Sequence, residues 1–266
     1  MSETTLARPP FNAGVMRAFM RMEGASYLHV PIAIFWSFVY PVMLFFILNL
    51  IFGGGDSPTG PEMSYADYLI TGLVVMTLIS TSLFSFTVVL VEQRANGNMR
   101  VFGLMPFSKD SYFLGFVSSR MLILLVFCAL FIAAFSHLAP GALGIGAGRL
   151  LGLMVYIAAG TLVLVGFSLV LASLIKRTAT AHAVANIVNI PIIFLSDLFL
   201  PAAILPAAML EIVRYSPFYL FVNHCRALYA GTASLPELLP AVAVMVAAGA
   251  LMIWFATRRF DWNPDN

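Results

Sequence analysis

The chain has 266 residues, of which 61% are hydrophobic and only 10% charged, with a mean hydropathy of +0.95 and a net charge of +2. Soluble globular domains carry about 25% charged and about 45–50% apolar residues, so a water-soluble monomer is excluded. A disordered chain is excluded by the same figures, and so small a net charge gives no pull toward nucleic acid.

The segment before the first apolar run carries Arg8, Arg17 and Arg21. Val15, Met16, Phe19 and Met20 recur at helical spacing, and Gly14, Arg17, Arg21 and Gly24 fall on the other face. This pattern predicts a basic amphipathic helix suited to the membrane interface. It anchors the first span, and contact with a cytosolic partner is a second, compatible role.

Six uncharged apolar runs follow, at about 30–52, 68–91, 121–138, 150–175, 178–196 and 238–257. Each is near the 17–25 residues that cross a hydrocarbon core about 30 Å thick. Backbone groups in lipid must be satisfied internally, so the runs are expected to be helices. The first run is too long for a signal-peptide core and is expected to remain as a span.

Span two is rich in hydroxyls, with Thr77, Thr81 and Ser85 one turn apart. Such residues allow close helix packing. The loop after it reads EQRANGNMRVFGLMP, from Glu92 to Pro106. Glu92 ends the apolar helix, and Arg94, Asn96, Gly97, Asn98 and Arg100 break the pattern. Val101, Phe102, Leu104 and Met105 then form an apolar cluster that Pro106 closes. A short helix of this kind either plugs into a groove on another protein or lies on the lipid surface.

Span five carries His182, Asn186 and Asn189 at i, i+4 and i+7, so they share a face. The stripe either bonds to neighbouring helices or lines a translocation path or a seam between subunits. Residues 197–237 are apolar but broken by Pro201, Pro206 and Pro217, and they carry Glu211, Arg214 and Arg226. Two short helices dipping into the outer leaflet fit this composition, since irregular backbone is tolerated at depth when protein buries it. A plain extracellular cap is the other option.

Eleven of the 14 basic residues lie in the N-terminal segment, the loops after spans two and four, and the tail. Only Arg149, Arg214 and Arg226 fall on the other side. Both termini are therefore expected in the cytosol. The chain divides into a cytosolic segment and interfacial helix at 1–29, a six-span domain at 30–258 and a tail at 259–266.

Chemistry of its own is not expected. Neither Lys109 nor Lys176 follows a glycine, so the phosphate-binding loop of an ATPase is absent. Gly166-Phe167-Ser168 is not completed to a nucleophile elbow, because residue 170 is Val. The four histidines show no metal-ligand spacing, and Cys128 and Cys225 form no CxxC pair.

With these residues in view, the chain resembles permease subunits of type-2 ATP-binding-cassette (ABC) exporters. Those proteins have an acidic residue after span two, a glycine, an apolar stretch and a leucine–proline element, then a hydroxyl and a basic residue. Glu92, Gly97, Leu104, Pro106, Ser108 and Lys109 follow that order. Met105 stands where the family often has Thr. Pro201, Leu205-Pro206, Pro217-Phe218, Arg226 and Gly231 follow the family's order before the last span, although Ser196-Asp197 replaces its frequent Ser-Gly.

The resemblance implies an all-α membrane protein with six spans, an N-terminal interfacial helix and a pair of re-entrant outer helices. It implies ATPase docking through Glu92, Arg94, Gly97, Arg100, Leu104 and Pro106. It implies an outer gate at Pro201, Pro206, Pro217 and Arg226. ATP and Mg would be held by a separate ATP-binding-cassette subunit in two copies, with no cofactor on this chain. Six spans are few for a path, so a second copy of the chain is expected, with membrane lipid around the pair. The expected setting is a bacterial inner membrane, with an amphiphilic, lipid-linked or drug-like substrate moved outward. A nucleotide-independent channel or scaffold is the alternative, and an intramembrane hydrolase a third.

Overall fold

The computed structural model describes residues 11–53, 63–105, 107–194, 196–198, 211 and 213–260. Every regular element among them is a helix. In chain order these are α1 (Ala13–Leu28), α2 (Pro31–Phe52), α3 (Tyr65–Ala95), α4 (Asn98–Gly103) and α5 (Lys109–Leu138). They continue with α6 (Ala147–Leu174), α7 (Thr178–Phe194), α8 (Pro217–Ala230) and α9 (Leu235–Arg259).

Short polar residues start the helices by satisfying first-turn amides. The Asn12 side chain accepts from the Gly14 and Val15 amides. Ser64 with Asp67, and Ser234 with Glu237, form capping boxes at α3 and α9. Within α2, residues Phe35–Val39 form a wide π turn immediately before Tyr40-Pro41. Pro41 has no N–H to give the preceding turn, and the wider turn accommodates its ring. A second π turn, Leu83–Val88, interrupts α3.

The centre of the bundle is α3. Tyr68, Leu69, Ile70, Leu73 and Leu78 on successive faces are all fully buried. A helix apolar all round is a central helix, and α3 is enclosed by α2, α5, α6, α7 and α8. Helices α2 and α9 lie at the periphery with most of their apolar surface outward. Helix α9 packs chiefly on α6, where Gly249 lets it come close: a Cβ there would lie 2.8 Å from the Leu162 carbonyl carbon.

The predicted amphipathic helix is present as α1, and its apolar face meets protein. It runs lengthwise along the start of α5, and α2 continues in the same direction. Asn12 bonds Ser111, Glu23 pairs with Arg120, and the Phe38 and Phe45 rings meet those of Phe127 and Phe131 at steep angles. At 1.5 Å per residue, the 30-residue α5 is about 45 Å long.

Among the described residues five helices are long and apolar enough to cross a membrane: α2, α3, α5, α6 and α9. The run expected at 178–196 is the shorter, 17-residue α7. Of the broken segment at 197–237, α8 is a 14-residue helix that begins at Pro217 and ends at the left-handed Gly231. Pro106, Pro201 and Pro206 lie outside the described residues.

Candidate functional site

Two constellations stand at opposite ends of the bundle. At the basic end, α3 runs to Ala95, so Glu92 and Arg94 lie in its last turn and not in a loop. Gly97 then takes φ 77°, a left-handed conformation that glycine adopts without steric cost. The turn reverses the chain into α4. Met99 of α4 is fully buried, and Phe102 packs on Phe19 of α1 and Tyr112 of α5. Phe19 also meets Phe107, closing an aromatic cluster of three elements. Arg100, Val101 and Leu104 face outward, and Leu104 is 89% exposed. The result is a firmly mounted short helix that presents an apolar and basic face.

Arg94 is turned inward beneath this helix. Its guanidinium donates to the Ile175 carbonyl and lies 5.2 Å from the centre of the Phe260 ring. It fastens the end of α3 to the α6–α7 connection and to the residue after α9. Beside it is a network that local sequence reading missed. Glu23 of α1 and Arg120 of α5 form a buried ion pair at 3.3 Å. Gln93 donates to Glu23 at 3.4 Å and accepts from the Tyr112 hydroxyl at 2.5 Å. Arg120 also donates to Ser85 Oγ at 2.5 Å, and its guanidinium lies over the Phe116 and Tyr27 rings. The Tyr27 hydroxyl in turn bonds Ser37 of α2 at 2.5 Å.

The expected polar stripe on α7 divides between two environments. Asn189 faces inward and accepts from Ser80 at 3.1 Å. His182 and Asn186 face outward, on the same side as the exposed Ile187 and Ile190. The Asn186 amide bonds back to the His182 carbonyl at 2.9 Å. His182 Nε2 lies 3.4 Å from a Glu92 carboxylate oxygen. The stripe therefore begins at the same end as α4, and Glu92 joins the two sets.

The opposite end is tied by two buried carboxylates. Asp197 adopts φ 57° at the end of α7, where the resembled family often has glycine. Its side chain accepts from Arg226 of α8 at 2.5 Å and from the Tyr68 hydroxyl at 3.0 Å. The Arg226 guanidinium lies 3.9 Å from the Tyr68 ring centre. Helix α3 yields here at Gly72, where a Cβ would collide with the Leu198 carbonyl. Nearby, Asp67 accepts from Tyr229 at 2.6 Å, from Ser64 at 2.7 Å and from the Leu143 amide at 3.1 Å. The Ser64-x-x-Asp67 spacing was a readable capping signal; the Tyr229 and Leu143 contacts were not readable.

Among the described residues no group of histidine, cysteine, aspartate or glutamate could hold a metal ion. Both cysteines are free and buried. The arrangement is that of a polytopic helical membrane protein, with a surface helix braced at one end and an ion-paired closure at the other. The family comparison gives that class its name. Residues 56–258, about three-quarters of the chain, match the model of the ABC-2 family transporter proteins. The chain belongs to that family and is a membrane transport component, not itself catalytic. No curated protein matches it.

Proposed function

We propose that this chain is the permease of an ATP-driven exporter in a bacterial inner membrane. Two copies pair, and each takes one copy of a separate ATP-binding-cassette subunit, which holds ATP and Mg. The observation that carries the reading is α4, an outward apolar and basic face on a rigid mount at the basic end. A helix presented in this way suits a groove on a partner. Glu92, Arg100 and Leu104 supply the contacts, and Gly97 sets the turn. Arg94 acts from beneath as a strut.

In this reading α7 is the sixth span, since a 17-residue, mainly apolar helix is long enough for a thin or locally compressed bilayer. Its outward His182 and Asn186 are costly against lipid and gain partners at a seam between two copies. Substrate moves along that seam, and an amphiphilic, lipid-linked or drug-like molecule suits its mixture of apolar and amide groups. Pro201, Pro206 and Pro217 shape an outer gate fastened by Arg226. The bias of basic residues puts both termini in the cytosol.

The test is co-expression with a candidate ABC ATPase subunit. The ATPase should co-purify with the wild-type chain and be lost with Leu104→Asp or Glu92→Arg, with no fall in the permease's unfolding temperature. Transport of a fluorescent lipid by the chain alone in liposomes, at full rate without ATP, would favour the channel reading and sink this one.

A further inference from the structure

On the face of α1 turned away from α5, Arg17 and Arg21 stand one turn apart and are exposed. Gly14 and Ala18 lie between and beside them and add almost no side chain, which leaves a shallow hollow of about 240 Å³. Among the described residues no carboxylate lies within ion-pairing distance of either guanidinium. Arg17 spends only its Nε, on the Ala13 carbonyl at 3.4 Å. Like charges at this spacing repel along a helix. The acid of the same helix, Glu23, does not relieve them, because it is buried on the other side against Arg120.

The exposed surface becomes mainly apolar afterwards, with Ser26 and His29 as the exposed polar exceptions before α2. Met22 is 44% exposed and Leu28 49%, and the outward residues of α2 stay apolar as far as Leu50 at 87%. The outward apolar surface therefore begins near Met22, and this is taken as the edge of the headgroup layer. Arg17 is five residues earlier, about 7.5 Å along the helix. The headgroup layer of one leaflet is about 5–7 Å thick. Arg21 thus stands at the inner edge of that layer and Arg17 one turn, about 6 Å, farther out, so the two long side chains flank the layer that holds the lipid phosphates.

We infer that Arg17 and Arg21 form a clamp for the phosphate of an anionic phospholipid in the cytosolic leaflet, seated over Gly14 and Ala18. Guanidinium groups suit phosphate because they offer several donors in a fixed plane. A docked protein is the weaker occupant, since it would have to enter the headgroup layer to cover Arg21. The leaflet assignment rests on the cytosolic placement proposed above; the clamp itself does not need the ATPase.

The test uses the full chain purified without an ATPase, with phosphatidylglycerol as the probe and phosphatidylcholine as the neutral comparison, read by native mass spectrometry. A basic residue at a membrane surface contributes about a fivefold gain in affinity. The Arg17→Gln/Arg21→Gln double variant should therefore lose phosphatidylglycerol affinity by roughly 25-fold. Arg258→Gln/Arg259→Gln, which removes an equal charge at the end of α9, should leave it within about twofold. Arg17→Lys/Arg21→Lys should retain part of the binding, because charge survives and the fork geometry does not. Equal loss in both Gln pairs would mean diffuse charge and would overturn the clamp. So would undiminished lipid binding in Arg17→Gln/Arg21→Gln, or glycerol 3-phosphate binding as tightly as the lipid. If that variant kept its lipid and lost only a co-expressed ATPase, the face would belong to the protein partner. Helicity and unfolding temperature should not change, as both arginines are exposed. Because neither an ATPase nor transport enters the lipid-binding measurement, which is separate from the co-expression, failure of the exporter reading would leave this result standing.

Discussion

Asp197 shows how one residue can be strained in its backbone and still be held by its side chain. A non-glycine residue at φ 57° costs about 1–2 kcal/mol. The same residue supplies the carboxylate for the buried Arg226. Breaking such a pair from one side typically costs about 3–5 kcal/mol, because the remaining charge is stranded. Asp197→Ala should therefore lower the unfolding temperature markedly in detergent. Asp197→Gly should be the milder variant, by about 1 kcal/mol, since it relieves the backbone. Asp197→Gly combined with Arg226→Met should recover much of the loss, and if it does not, the pair is not what closes this end. None of this was legible locally. Asp197 could be read as a departure from glycine, but Arg226 is 29 residues away and Glu23 is 97 residues from Arg120. Polar residues in apolar runs announce that a partner exists, and only packing chooses it.

At the scale of the element, apolar runs made the long helices legible because lipid leaves the backbone no alternative. Their ends were less legible. Helix α3 outruns its apolar stretch to Ala95, so Arg94 reads as a loop charge in sequence and is a buried strut in the structure. Arg120 likewise lies well inside α5. Gly97 was readable as the break, because only that position combines a glycine with flanking polar residues. The mounting of α4 was not readable, because it depends on Phe19, which is distant in sequence. Phe19→Ala should loosen this mount, with a core cost of about 3–5 kcal/mol at full burial. The measurement is limited trypsin digestion: cleavage after Arg100 should accelerate while cleavage after Arg258 and Arg259 does not. Unchanged cleavage at Arg100 would show that α4 is held by Met99 alone.

For the whole molecule, the buried α3 occupies the place where a path through one copy would run. The proposed seam is instead the outward face of α7, and it has a direct check. Both native cysteines are buried, so an introduced thiol meets little background. Asn186→Cys should give a cross-linked dimer with a short bis-maleimide in membranes, whereas Leu50→Cys on α2 should not. A cross-linked product only from Leu50→Cys would move the seam to α2. Finally, α5 is about 15 Å longer than the hydrocarbon it crosses. In the proposed orientation its surplus stands outside the bilayer at the basic end, where α1 and the aromatic cluster under α4 grip it. An unbroken helix behaves as a stiff rod pivoted in the membrane, so a sideways push on the outboard stub swings the far tip the opposite way. Phe131 and Phe135, at that tip, would then bear on Phe45 of α2 with no intermediate joint.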